Sequence, residues 1–266
     1  MALILLALTG VTLTSITLLL IHSYLPKKPN FAGRNIPTSA GLTLIPIILL
    51  TLLLGLVSFV EIGSGGIGYL IYSVLAGAVG FADDLWGGDD AKGFKGHLWA
   101  LFSGRVTTGM VKVLALGFGA LIVGIVVWGF GVAALVAGVV LAGSVNLANL
   151  LDVRPGRTLK FLGICSLVLL FVAPYEAVLV VIGVLGGGAA LFYFDLKGRI
   201  MLGDAGAAIF GAVPGYLVVA DGPGMAWWIA AAVILGLTVL AEVSSISRFI
   251  EEVGALHWFD EWGRVR

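Results

Sequence analysis

Positive charge is distributed along this sequence in a way that leaves few folds open. All fifteen Lys and Arg residues fall in or beside alternate gaps between long apolar runs. They are Lys27, Lys28 and Arg34; Lys92, Lys95, Arg105 and Lys112; Arg154, Arg157 and Lys160; Lys197 and Arg199; and Arg248, Arg264 and Arg266. The intervening gaps contain no basic residue, and their charges are the acids Glu61, Glu176 and Asp221. Lys and Arg are retained on the cytoplasmic side of a bilayer, so the alternation fixes a threading. It predicts an all-α, polytopic helical membrane protein of about nine transmembrane helices, with the N-terminus outside and the C-terminus cytoplasmic.

Composition agrees. The chain is 60% hydrophobic and 11% charged, with a mean hydropathy of +1.12, whereas a soluble domain carries about 25% charged residues. The apolar runs are continuous rather than alternating, which excludes an outer-membrane barrel. A formal net charge of zero gives no general attraction to nucleic acid. Cys165 is the single cysteine and lies in an apolar run, so it reads as a packed or lipid-facing thiol. The first 22 residues lack a basic leader and a small-residue cleavage site, and read as a retained first span.

The spans are expected at 2–22, 38–60, 66–82, 107–128, 131–151, 159–173, 177–194, 204–220 and 225–247. The whole chain, 1–266, then forms one integral membrane domain, with cytoplasmic segments at 23–37, 83–106, 152–158, 195–203 and 248–266. Glycines inside the spans, Gly183 and Gly187 among them, are assigned to close helix packing.

Five polar constellations fall on the expected cytoplasmic side. Gly80-Phe81-Ala82-Asp83-Asp84 ends the third span. Adjacent carboxylates at a helix C-terminus are unfavourable unless a cation compensates them, and Lys92, Lys95 or magnesium would do so. Neighbouring helical residues diverge, so Asp83 and Asp84 are free to face different groups. Asn146, Asn149 and Asp152 close the fifth span at spacings that share one helix face, and polar groups there should line a cleft or tie helices together. Met201-Leu202-Gly203-Asp204-Ala205-Gly206-Ala207 opens the eighth span, where Asp204 serves as N-cap or as metal ligand. Pro37-Thr38-Ser39-Ala40-Gly41 opens the second. The fifth is a basic loop with Lys92, Lys95, His97 and Arg105 that runs into Lys112. It suits phosphate or anionic head groups, and cytoplasmic retention alone also accounts for it. Hard oxygen ligands without His or Cys clusters point to magnesium. Magnesium beside Lys and Arg at helix N-termini points to phosphate or diphosphate chemistry at the membrane surface.

In this order the segments resemble the polyprenyl-phosphate N-acetylhexosamine-1-phosphate transferases, through Pro37-Thr38-x-x-Gly41, Gly80-Phe81-x-Asp83-Asp84, Asn146-x-x-Asn149-x-x-Asp152 and Gly203-Asp204-x-Gly206. The resemblance covers about residues 34–215. It implies a multi-pass protein of a bacterial plasma membrane, in cell-envelope biogenesis. Such a protein transfers a sugar-1-phosphate from a UDP-sugar to a polyprenyl phosphate and releases UMP. By the same analogy Asp204 holds magnesium, and Asp83 and Asp84 handle the lipid phosphate and the reaction centre; both are also candidate metal ligands. Asn149 and Asp152 serve the nucleotide side, and Asn146 is a further candidate substrate contact. Arg154, Arg157 and Lys92 are candidate diphosphate clamps, with Lys95, His97 and Lys112 as further substrate contacts. Family members commonly dimerise, which adds a homodimer to the expectations.

Three departures bear on the substrate. Val153-Arg154-Pro155-Gly156-Arg157 replaces the family's usual Gly-x-Asp-Gly, Ala207 replaces a serine, and the His-rich loop associated with sugar recognition is missing, as is a tenth span. They leave the sugar and the nucleotide open. Two other functions compete. A CDP-alcohol phosphotransferase needs an Asp-Gly-x-x-Ala-Arg run that this chain lacks. A non-catalytic binder or transporter of lipid phosphate would more commonly place charge near the bilayer midplane.

Overall fold

The computed structural model describes residues 1–88, 103 and 107–264. Among them it is 76% helical. The helices are α1 (Ala2–Ile21), α2 (Ile45–Leu56), α3 (Ser64–Trp86), α4 (Thr108–Trp128), α5 (Val132–Leu151), α6 (Arg157–Leu169), α7 (Tyr175–Leu196), α8 (Gly203–Val219), α9 (Met225–Val243), α10 (Ile246–Glu252) and α11 (Gly254–Glu261). A five-residue 3-10 turn, Ala40–Leu44, leads into α2. Six helices, α1, α3, α4, α5, α7 and α9, are long and apolar enough to cross a bilayer. The protein is therefore an all-α, multi-pass membrane protein.

One small correction concerns the segment before α2. Instead of plain loop it forms an antiparallel hairpin, β1 (Lys27–Pro29) with β2 (Asn35–Pro37), in which Lys28 pairs with Ile36. Asn30 shapes the turn, because its Oδ1 accepts hydrogen bonds from the N–H groups of Ala32 and Arg34, each at 2.9 Å.

Burial sorts the helices into layers. α1, α4 and α9 have only about a fifth of their most apolar stretch buried and present Leu19, Phe118, Ile122 and Trp228 outward. That surface suits acyl chains rather than water. Cys165 is exposed on α6. At the centre stands α8, buried along nearly its whole length and contacted by α3, α5, α6, α7 and the 3-10 turn. Small residues make that position feasible. Ser144 Oγ on α5 donates to the carbonyl of Gly211 at 2.6 Å. Gly41 and Gly206 touch backbone to backbone, with a methyl added at Gly206 falling 2.7 Å from Gly41 Cα.

Two short backbone bonds fix the start of α8. The N–H groups of Ala40 and Gly41 donate to Met201 and Leu202 carbonyls, both at 3.1 Å. Gly203 has φ +70°, and an added Cβ would meet Ser39 N at 2.6 Å, so both conformation and space require glycine there.

Gly41→Ala should destabilise the fold by about 1–3 kcal/mol, the usual cost of overpacking. Gly117→Ala on α4, where a Cβ meets nothing within 4 Å, should not. Thermal unfolding of the two variants in detergent checks this, and equal midpoints would refute the tight backbone contact.

Candidate active site

Chain crossings at one end of the bundle bring distant acids together. Asp84 from α3, Asp152 after α5, Asp195 on α7 and Asp204 on α8 all line one cavity of about 390 Å³. Lys28 and Phe31 of the hairpin, Thr38 and Arg154 complete the parts of its wall that matter for charge and shape.

Asp83 and Asp84 divide as their helical positions require. Asp84 is buried, and its carboxylate holds three segments. Oδ2 accepts from Ser39 Oγ at 2.7 Å and from Ala205 N at 3.3 Å, and Oδ1 accepts from Asp204 N at 3.0 Å. The free N–H groups of the first turn of α8 are thus capped by an acid from another helix. The expectation that Asp204 could be the N-cap is corrected: Leu202 occupies that position without a side-chain cap, and Asp204 lies inside the helix. This leaves the Asp204 carboxylate available to other partners.

Its main partner is Lys112, in the first turns of α4. Lys112 Nζ lies 2.8 Å from Asp204 Oδ2 and 3.0 Å from Asp83 Oδ2. The Asp83 and Asp204 carboxylates are also within hydrogen-bonding reach of each other, and Thr108 bonds Asp83. An ammonium group thus occupies the point where two carboxylates converge. That marks where the fold needs positive charge. Lys112 was expected as a phosphate contact, and in this arrangement its charge is directed at the two aspartates.

Asp152 follows the last residue of α5, with φ −76° and ψ 39°, so the helical face expected for Asn146, Asn149 and Asp152 breaks before the aspartate. Asp152 Oδ1 accepts from Thr158 Oγ at 3.0 Å. Burial first, then the nearby Asp195 carboxylate and more weakly those of Asp204 and Asp84, push its pKa well above the usual range, against the opposing Thr158 bond. Asn146 and Asn149 do not line the cavity. Asn149 Oδ1 is buried without a hydrogen-bond partner among the described residues.

The basic residues separate into two groups. Arg154 is partly exposed on the cavity wall, with Glu251 at 4.0 Å. Arg157 is not available as a diphosphate clamp, and that expectation is corrected. Its Nε and Nη2 donate to Oδ1 and Oδ2 of Asp260 at 2.8 and 2.7 Å, and its Nη1 to Ser247 Oγ at 2.7 Å. Both members of the pair are almost fully buried, at 1% and 2% exposure. Arg264 adds a second guanidinium to Asp260 at 2.7 Å and reaches the Pro155 carbonyl at 3.3 Å. Lys160 Nζ donates to the carbonyls of Phe259, Asp260 and Trp262. The cationic run after α5 therefore straps the C-terminal helices beneath the cavity. Lys92, Lys95 and His97 lie outside the described residues.

Asp195 and Lys28 went unread as site residues. Asp195 carried the same signal as the others, an acid at the polar end of an apolar run. Gly156 N donates to its Oδ2 at 3.0 Å, and Gly156 can do so because it adopts φ +72°.

The donor set suits a hard cation. Among the described residues no three His, Cys, Asp or Glu side chains form a closed ligand cluster. Magnesium commonly uses one or two carboxylates and completes its shell with water and substrate phosphate. The Asp83 and Asp204 pair fits that mode and not a dedicated cage.

Neither models of known protein families nor curated proteins match this chain.

Two measurements address these electrostatics. Asp152 has a raised folded pKa, so its contribution to stability is complete below the unfolded value of about 3.9 and is lost as pH rises through the folded value. Asp152→Asn should flatten that decline in a pH series of thermal midpoints, and an unchanged series would refute it. Asp260 is the opposite case. Burial raises its pKa, but the hydrogen bond and charge of Arg157, with Arg264, outweigh this and lower it overall. Its stabilisation is present above the unfolded pKa and is lost as pH falls through the folded one. Asp260→Asn should cost about 3–5 kcal/mol at neutral pH, because Arg157 is left buried and unpaired. A change below about 1 kcal/mol, the scale of an exposed pair, would refute the strap.

Proposed function

We propose that this protein transfers a sugar-1-phosphate from a nucleotide sugar, with UDP as the expected nucleotide, to a polyprenyl phosphate and releases the nucleoside monophosphate. The reading places nine spans in the plasma membrane of a bacterium, the N-terminus outside and the carboxylate cavity at the cytoplasmic face. It is supported by helices in each of the nine apolar segments, by the one-sided Lys and Arg distribution, and by the four-segment resemblance. The observation that carries it is the meeting of Asp83, Asp204 and Lys112 beside a cavity at one end of a lipid-exposed bundle.

The chemistry is a displacement at phosphorus. A phosphate oxygen of the lipid acceptor forms a bond to the β-phosphorus of the donor. The bond from that phosphorus to the bridging oxygen breaks, and the nucleoside monophosphate leaves with the electron pair. Magnesium, when bound by Asp204 and Asp83, supplies neutralisation of charge on the diphosphate. Lys112 holds the two carboxylates together before substrate arrives and is displaced toward phosphate when it does. Asp84 positions Asp204 by fixing the first turn of α8. Arg154 and Lys28 face the cavity and attract the diphosphate. The prenyl chain lies along the apolar outer faces of the bundle.

Purified protein given UDP-GlcNAc, undecaprenyl phosphate and magnesium should release UMP, and a panel of other nucleotide sugars identifies a different donor. Asp204→Asn should lower turnover at least about 100-fold, the scale of losing one electrostatic stabiliser, while the variant stays folded. Undiminished turnover removes Asp204 from the mechanism. Stoichiometric lipid-phosphate binding without release from any donor supports the non-catalytic alternative.

A further inference from the structure

A second cavity, of about 350 Å³, adjoins the first and shares two wall residues with it, Phe31 and Arg154. Its far side is formed by Glu251, His257, Glu261 and Arg264 from the C-terminal segment. Phe31 lies at the hairpin tip and is 51% exposed. Among the described residues no other ring and no cation packs on its face.

The ring is held on a stiff support. Asn30 N donates to Arg34 O at 2.8 Å and Gly33 N to Asn30 O at 2.9 Å. With the two bonds to Asn30 Oδ1 they close the turn on four hydrogen bonds, and Gly33 supplies the left-handed residue at φ +73°. A half-exposed aromatic face on a pre-ordered turn binds a flat partner without a large ordering cost. Arg154 stands beside it, between this cavity and the carboxylates. The partner should therefore carry a planar π-system joined to phosphate. Its edge should offer donors and acceptors to Glu251, Glu261 and His257. A nucleoside 5′-phosphate meets all three requirements, and about 300 Å³ is enough for a small-molecule site.

Resting on the transfer reaction proposed above, we infer that Phe31 is the stacking platform for the nucleobase of the donor, and that the second cavity receives that base. The phosphates then run past Arg154 toward Asp204. The hexose end would contact the carboxylate-lined cavity and not Phe31.

The 266-residue protein in nanodiscs is titrated calorimetrically with UMP, CMP, GMP and AMP, and separately with GlcNAc-1-phosphate. At least one nucleoside monophosphate should bind the wild type. Phe31→Ala should weaken it about 5- to 150-fold, the effect of losing one base–aromatic stack, and Phe31→Trp should restore it. GlcNAc-1-phosphate should be indifferent to both substitutions. Three results would overturn the inference: no nucleoside monophosphate bound by the wild type, equal nucleotide affinity in Phe31→Ala, or an effect confined to the sugar phosphate. Transfer is assayed in parallel. Phe31-dependent nucleotide binding without transfer from any donor would sink the enzymatic reading and keep the platform. Transfer with Phe31-independent nucleotide binding would do the reverse.

Discussion

The carboxylate of Asp84 is the joint on which the polar end of this bundle depends. It comes from the last turns of α3, yet its hydrogen bonds go to the first turn of α8 and to Ser39. α8 uses such a partner because the N–H groups of its first turn have no acceptor within the helix and no N-cap side chain. An anion at that position also complements the positive end of the helix dipole. By taking over the capping, Asp84 frees Asp204 one position into the helix, where it meets Lys112 and Asp83. One acid sets the geometry, and the carboxylate of Asp204 is left to pair with Lys112.

Charge is otherwise settled unevenly. Beneath the cavity, Arg157, Arg264 and Lys160 satisfy Asp260 and the carbonyls of the C-terminal segment. A buried pair of this kind is weak evidence for added stability, but it fixes which segment packs where. Inside the cavity, burial first and then the nearby Asp195 carboxylate hold the Asp152 pKa well above the usual range. Asp260 is matched by two guanidinium groups and Asp204, on the cavity wall, by Lys112, whereas the described partner of Asp152 is the neutral Thr158 hydroxyl.

Periodicity and apolar length revealed most of the fold. The expected span 131–151 is α5, Val132–Leu151, almost to the residue. The expected span 225–247 ends early because Ser244 and Ser245 are extended and a separate helix, Ile246–Glu252, begins. The second expected span starts as a 3-10 turn, because Gly41 must pass against Gly206. The meeting of Asp84, Asp152 and Asp204 was legible because acids at the ends of apolar runs have few other places to go. Pairings across the chain were not. Nothing in the local sequence of Arg157 points to Asp260, and nothing near Asp84 points to the N–H of Ala205. The hairpin was hidden by its three-residue strands and by prolines, which weaken any strand signal.

A cation bound between Asp83 of α3 and Asp204 of α8 is the directly measurable element of the proposed reaction. Manganese substitutes for magnesium at oxygen sites and reports its coordination by electron paramagnetic resonance. In the presence of a nucleotide sugar that the protein binds, wild-type protein should show stoichiometric bound manganese, and Asp204→Asn should lose it at the same concentrations. Manganese bound equally well by Asp204→Asn would contradict the placement of the metal and, with it, the reaction built around it.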